Sequence, residues 1–466
     1  MPLEHRYTRR MGTPSGSESL THASIRGNEA DAAEVLVEDR FDVDVPPGAV
    51  IGSRATSGAP RLGRDREGAL SVDHGALRIR YLLDPGWDRA GIAYGPFPSQ
   101  PGLAFAVRVT NGLSTSQTWN DEPLSQTARL KRALQRWRRT FPRVDWTAAD
   151  LHESLAVGWF SEVASSRRQR RPEGAAAVAW STPQDEIGKL KLAGADGERR
   201  VLEDVQNTPI LYVAVVRGDD VVIYASSLPD VRGFAAHPQL RPLGIVAAPA
   251  AAQLYAGVHQ AVLGEVHYRL DTRVAAAKAV LLPDVAWHHG ALVADRFTGQ
   301  GPLAGPAEIG GSWAVTGPAR RSARGLLRLD GACGSGVLAL RWRADDAGGC
   351  EVRVDPDGVA LVTVDASGDE QVVARDDAPV RPAEVQRLQV LDDGDRVTAT
   401  LGERLLVADV GGLPDHGDRV AVTVGGDGAR VTRVEVHPRT LPVPAALDLG
   451  MPRPVAGRRL LVADDF

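Results

Sequence analysis

The stretch "ALVADRF" at residues 291–297 has near copies towards both ends of the chain, "VLVEDRF" at 35–41 and "LLVADDF" at 460–466. Each copy reads as a short β-strand, apolar over its first positions, that turns outward through an acidic residue and then sets an aromatic anchor. A second signal travels with the first. "TRV" occurs in "YRLDTRVAAAKAV" (268–280) and in "GARVTRVEVH" (428–437), each followed by a proline-containing connector, "LLPDVAWHHG" (281–290) and "PRTLPVPAALDLGMPRPVAGRR" (438–459). The opening segment then returns. A start signal and a stop signal used twice in the same order describe a tandem: a tail over 1–34, one unit over 35–283, a linker over 284–290, a second unit over 291–438 and an extension over 439–466. The final "LLVADDF" is expected to dock as a strand, because an unpaired apolar strand is an aggregation liability.

Within both units the dominant pattern is β. "LAFAVRV" (103–109), "PILYVAVVRGDDVVIYAS" (209–226), "VLALRWRA" (337–344), "CEVRVDPDGVALVTVD" (350–365) and "DRVAVTVGGDGARVTRVEVH" (418–437) alternate apolar and polar residues and are joined by Asp/Gly turns. Period two puts one side of each strand on a core, and such meanders bury that side by pairing sheets. The expected fold is therefore mainly β, two tandem antiparallel β-sandwiches. The 49 Gly and 31 Pro favour short elements and turns in the same way. With 43% hydrophobic and 24% charged residues, the 466-residue chain can bury a core in each unit.

The same composition excludes several partners. A net charge of −5 gives no positive field for nucleic acid or an anionic membrane. No apolar run is long enough to cross a bilayer. Residues 1–34 hold no run of signal-peptide length, so a disordered tail and a cytoplasmic protein are expected, unless export uses another route. Two cysteines, Cys333 and Cys350, are too few for a disulfide scaffold. In a hairpin about "DDAGG" (345–349) Cys350 would face a residue near Ala344, away from Cys333, so both are expected to be free thiols.

"DRFTGQGPLAGPAEIGGSWAVTGPARRSARGLLRL" (295–329) resembles the entry of concanavalin A-like, LamG-type jelly rolls, through Asp295, Phe297, Leu303, Gly310 and Trp313. The closing 418–437 stretch is similar to the last strand pair of such folds. The resemblance spans 291–438, and only the two ends of the first unit. It implies jelly-roll sandwiches, a fold that carries lectins, carbohydrate-binding modules, hydrolases and lyases alike. It also implies that loop aspartates could hold a structural Ca²⁺. No other cofactor is expected.

The first unit departs from the pattern in its middle. "EPLSQTARLKRALQRWRRTFPRVDW" carries Leu130, Leu134, Trp137 and Phe141 on one helical stripe, with Lys131, Arg132, Arg136, Arg138 and Arg139 on the other side. "TAADLHESLAVGWFSEV" follows with Thr147 as N-cap. A helical insert over about 124–165 is expected, its arginines a solvated face, followed by a flexible basic loop, "SSRRQRRPEG" (165–174).

Chemistry-bearing residues concentrate in two places. "TWNDEP" (118–123) offers Trp119, Asn120 and Asp121, an aromatic plate beside amide and carboxylate groups, the combination that stacks and hydrogen-bonds a sugar ring. "LYAGVHQAVLGEVHYRLD" (254–271) gathers Tyr255, His259, Gln260, His267, Tyr268 and Arg269. Within it "AGVHQ" (256–260) resembles the last motif of alginate-type polysaccharide lyases, where Tyr and Gln act in proton abstraction and substrate binding. The Lys and second Tyr of that family are missing here, and the other motif comes out of order. Asp121 and Glu122, being adjacent, do not form the spaced carboxylate pair of a glycosidase. His288 and His289 lack the further ligands a metal site needs.

Three functions are compatible with these features. The first is a non-catalytic carbohydrate-binding protein for polysaccharide recognition or assembly, using Trp119, Asn120, Asp121, Tyr255, His259, Gln260 and Arg269. The second is a polysaccharide lyase or glycoside hydrolase with His259, Gln260, His267 and Tyr268 as catalytic candidates. The third is an interaction scaffold, with oligomerisation open. No metal ligand set is identified.

Overall fold

Both described copies of the opening segment pair with the strand that carries the "TRV" signal. Glu34–Asp39 runs antiparallel to Arg269–Leu281, and Val293–Asp295 runs antiparallel to Arg430–Pro438. The first and last strands of each repeat therefore meet, and the start and stop signals are two sides of one pairing. The computed structural model describes residues 33–80, 86–114, 153–168, 170–180, 189–204, 209–226, 239–261, 269–282, 293–295, 311–316, 325–394, 396–409 and 419–450.

These residues form four antiparallel sheets. Sheet 1 has seven strands, in the order Gly197–Asp204, Lys189–Gly194, Gly174–Trp180, Glu153–Phe160, Gln253–Gln260, Ala90–Pro98 and Leu62–Asp65. Sheet 2 has nine, among them Gln239–Ala247, Asp220–Ser226, Pro209–Val216, Leu103–Ser114 and Arg269–Leu281. Sheets 3 and 4 have six each. Sheet 3 holds Val293–Asp295, Arg430–Pro438, Gly325–Ala332, Gln386–Asp392, Arg396–Leu401 and Arg404–Asp409. Sheet 4 holds Gly311–Thr316, Arg419–Gly425, Val337–Asp345, Gly348–Asp355, Gly358–Asp365 and Glu370–Asp376. The predicted mainly-β sandwich architecture is what is found.

Three apolar layers connect the sheets in series. Leu155, Val157 and Trp159 of sheet 1 meet Phe105, Val107, Ala214 and Ile223 of sheet 2, and the Trp159 indole N–H donates to the Ala214 carbonyl at 3.0 Å. Leu327, Leu388 and Val434 of sheet 3 meet Leu340, Trp342 and Val352 of sheet 4. Between these two sandwiches, Leu211, Val213, Val222, Tyr224 and Ile245 on the second face of sheet 2 pack with Leu326 of sheet 3. Sheet 2 is thus buried on both faces. This explains why 209–216 reads "PILYVAVV", a nearly continuous apolar run rather than the expected alternation.

The joint between sheets 2 and 3 is ionic at its centre. Asp220 Oδ2 accepts from Arg328 Nη1 at 2.8 Å and Arg433 Nη1 at 2.7 Å, and Asp220 Oδ1 accepts from Arg217 Nε at 2.9 Å. Arg217 also donates to Glu435 Oε2 at 3.0 Å, and Glu435 pairs with Arg433 and with His437 Nε2. Burial opposes ionisation of Asp220, but Arg217, Arg433 and Arg328 outweigh it and hold its carboxyl down to about 2. Alongside, Gln389 of sheet 3 accepts from the Ile245 N–H at 2.8 Å and donates to the Ile245 carbonyl at 2.7 Å, as a strand would. Arg387 reaches Asp196 at 2.6 Å.

Several expectations are corrected. The acid of the first opening segment does not turn outward. Asp39 is fully buried, takes a bidentate pair from Arg61 at 2.7 and 2.8 Å, and accepts from Tyr94 Oη at 2.8 Å, while Arg61 lies over the Phe41 ring. Residues 153–160 of the predicted insert are a central strand, not a helix, since "ESLAVGWF" is apolar on both sides and both sides are covered. The remainder of that helical region, 124–152, lies outside the described residues. The basic loop is tethered: Ser165 is buried, its carbonyl accepts from Arg64 Nη1 at 2.9 Å, and Arg171 pairs with Glu153 at 2.6 Å. After 438 the chain returns to the first sandwich, where Leu441–Pro442 pairs with Gln239 and Leu240. Cys350 faces Trp342, two positions from Ala344 as the hairpin register implied, and both thiols are free and buried. The 284–290 linker and the terminal "LLVADDF" lie outside the described residues.

Removing Arg328 leaves Asp220 and Glu435 buried with one cation fewer, so Arg328→Ala should cost the intact chain about 3–5 kcal/mol in urea denaturation. Asp220 and Glu435 both have folded-state pKa values below their unfolded ones. Their contribution is therefore complete above the unfolded value of about 4 and is lost as pH falls towards about 2. Denaturation midpoints measured from pH ~7 downwards should stay level to about pH 5 and then fall, and the fall should be shallower in Asp220→Asn.

Candidate functional site

Series stacking covers both faces of sheet 2, the inner face of sheet 3 and the centre of its second face, whose edge strand leaves Val407 exposed. The second face of sheet 1 lies at one end, where Ala156, Phe160, Ala176, Val178 and Ala193 form a buried layer with Trp87, and the second face of sheet 4 lies at the other.

On sheet 1, cross-strand pairing puts Lys191, Val178, Ala156, His259, Gly91 and Arg64 in one row across the outer face. Tyr255 shares this face, opposite Phe160. Gln260 does not, because neighbouring residues of a strand point to opposite sides; its amide donates to the Arg80 carbonyl at 3.3 Å. His259 is buried, sits edge-on to Phe160 at 4.6 Å between ring centres, and has no hydrogen-bond partner at either ring nitrogen among the described residues. Its ring fits because positions 91 and 257 are glycine: a Cβ at Gly91 would lie 2.3 Å from Nδ1 and one at Gly257 would lie 2.7 Å from Nε2. Burial pushes the imidazole down to about 3, so it is neutral at ordinary pH and a poor proton carrier there. At the end of the face Glu153 and Glu198 are both bridged by Arg171 and Lys191 at 2.6 Å, a closed group in which every charge has a partner.

The outer face of sheet 4 differs. Arg341 stands opposite Glu351 and Ala421, Arg353 opposite Ala339 and Ala360, and Val362 opposite Glu351 and Val372. The Arg353 guanidinium is shared between Glu351 and Glu370. Arg341 makes no hydrogen bond or ion pair among the described residues, and its Nε is out of reach of solvent without a partner. It leans over Gly349, where a Cβ would come within 3.0 Å of that Nε. A bulge between Leu361 and Val362 shifts the pairing of the edge strand, and Val372 and Val373 stand exposed at 52% and 39% beside the charged group. Hydrogen bonding to Arg353 keeps the Glu370 carboxyl below the usual carboxylate range. The face thus offers a donor without an acceptor, two carboxylates and an apolar ledge on a floor of small residues.

Of the residues expected to form a site, Tyr255 and His259 share a face and Gln260 is turned from it. Arg269 lies in a strand where it pairs with Ser114. Trp119, Asn120, Asp121, His267 and Tyr268 lie outside the described residues. The sheet 4 group was not singled out in advance. Its signal was present in "LRWRA" and "CEVRVD", where alternation puts Arg341, Glu351 and Arg353 on the side away from Leu340, Trp342 and Val352. Among the described residues no group of His, Cys, Asp and Glu is arranged to hold a metal ion, and no helix is long and apolar enough to cross a membrane.

No family profile and no curated protein matches the chain. Solved structures similar to parts of it include the carbohydrate-binding module CBM66 from Bacillus subtilis, at 20% identity over 28% of this chain and 83% of that one, with a TM-score of 0.23. Caenorhabditis elegans galectin LEC-6 is 18% identical over 28% of this chain and 92% of that one, with a TM-score of 0.22. A kappa-carrageenase from Pseudoalteromonas carrageenovora, solved with an oligotetrasaccharide of kappa-carrageenan, is 10% identical over 59% of this chain and 100% of that one, with a TM-score of 0.29. At these identities and scores none of them assigns a ligand to this chain.

The His259 imidazole should keep its neutral-form NMR shifts from about pH 8 down to about pH 5, since its pKa lies near 3. A titration midpoint between about 6 and 7 would show instead that the ring is open to water.

Proposed function

We propose that this protein binds carbohydrate without converting it, and that the outer face of sheet 4 is the binding surface. The observation that carries this reading is Arg341, a guanidinium with no hydrogen-bond or ion-pair partner among the described residues, set beside Glu351, Arg353 and Glu370 and next to the exposed Val372. A sugar ring has hydroxyls that both donate and accept and a C–H face that is apolar, so it matches donor, acceptor and valine ledge at once. The ion pairs that fix Arg353 and both glutamates reduce the ordering cost of binding. Catalysis by the 255–260 strand has less support, because His259 is neutral and buried and Gln260 faces the other way. A polysaccharide partner and a role in recognition or assembly are part of the proposal. Tyr255, on the outer face of sheet 1, is a candidate for a subsidiary contact.

Screening the intact chain on a glycan array tests it. Arg341→Ala should weaken binding by roughly tenfold or more, the loss of about one charge-assisted hydrogen bond, with little change in melting temperature, since it removes no partner from any other group. A folded wild-type chain that binds no glycan, or an Arg341→Ala variant that binds as well as wild type, would count against the proposal.

A further inference from the structure

Resting on the carbohydrate reading of this face, we infer that the saccharide on sheet 4 is uncharged where it meets the protein and offers adjacent hydroxyls to Arg341 and Glu351. The charge arrangement favours it. Two cations, Arg341 and Arg353, face two anions, Glu351 and Glu370, so the array carries no net charge before a ligand arrives. Arg375, further out, is paired to Asp377. Arg353 is fully occupied by the two carboxylates. What remains is the unpartnered guanidinium of Arg341 and the second oxygen of Glu351, whose sole hydrogen bond among the described residues is from Arg353 to Oε1.

A uronate or sulfate on Arg341 would meet one cation, but it would also lie near Glu351, directly across the strand pair, and Glu370, which is close enough to Arg341 to feel its charge. Like charges at such range repel, more so on a half-buried face. A pair of hydroxyls has no such conflict. One accepts from Arg341 while the other donates to Glu351, and both unused groups are satisfied. The ring's C–H face is then left for the valine ledge. Negative selection against acidic glycans comes from the glutamates, and attraction comes from the arginine.

The test is calorimetric titration of the intact chain with matched probes: oligosaccharides of glucose, mannose and galactose, and the same oligosaccharides oxidised at C6 to uronates. The neutral member of the bound pair should be favoured by roughly tenfold or more, and its affinity should change less than about twofold between ~0.05 and ~0.5 M NaCl. Glu351→Gln should weaken the neutral sugar and narrow the gap to the uronate, and Arg341→Gln, which leaves every ion pair of the face intact, should weaken the neutral sugar if Glu351→Gln does not fold. A uronate that binds as well as or better than its neutral partner, or affinity that falls steeply with salt, overturns the inference while the carbohydrate reading stands. Failure of both members of every pair, together with an empty glycan array, removes the carbohydrate reading and this inference with it.

Discussion

The carboxylate of Asp220 is the point on which the two halves of the molecule turn. It sits between Arg217 of its own hairpin and Arg328 and Arg433 of the second sandwich, and Glu435 closes the group from the far side. Ion pairs at this depth are costly to desolvate, and an apolar joint of the same size could be as stable. Their effect is on placement. Three guanidiniums converge on one carboxylate in one relative position of the sheets, and the paired hydrogen bonds of Gln389 to Ile245 fix the same register independently. Without the joint, Leu211, Val213, Val222 and Tyr224 would form a broad apolar patch on sheet 2.

That joint determines where function can reside. Sheet 2 is enclosed by sheets 1 and 3, and the centre of sheet 3 by sheets 2 and 4, so the side chains there are committed to packing. The second face of sheet 1 is itself buried along its central strands, and its polar groups are paired among themselves or, like His259, held neutral in a glycine-lined niche. Sheet 4 keeps an outer face with chemistry unspent. The difference lies in small things: glycine at 349 lets Arg341 lie down without a hydrogen-bond partner among the described residues, and the bulge at the edge turns two valines to water.

The fold was largely legible, and the site was not. Repeated start and stop signals gave the tandem and the strand character, because apolar–polar alternation and Asp/Gly turns are local properties of the chain. The helix read into 147–163 failed over 153–160 because a strand covered on both faces loses its period-two signature and looks like any apolar run. For the same reason "PILYVAVV" gave no hint that a second sandwich lies against it. At the candidate site, alternation alone could put Arg341, Glu351 and Arg353 on one side of a hairpin. It could not tell that Glu370, seventeen positions beyond Arg353, would complete the Arg353 pair, nor that Arg341 would have no hydrogen bond among the described residues.

By itself, then, the sequence determined strands, turns and the division into two repeats, since each depends on residues within a few positions of one another. It also put an acid and an aromatic at the opening of the first unit, though not that the acid turns inward, where Asp39 is held by Arg61 and Tyr94. The tertiary structure alone decided which faces are sealed and which charges are neutralised. Those outcomes depend on groups hundreds of residues apart, such as Arg217 and Glu435, whose attraction exists only once the sheets have stacked and water has been driven from between them.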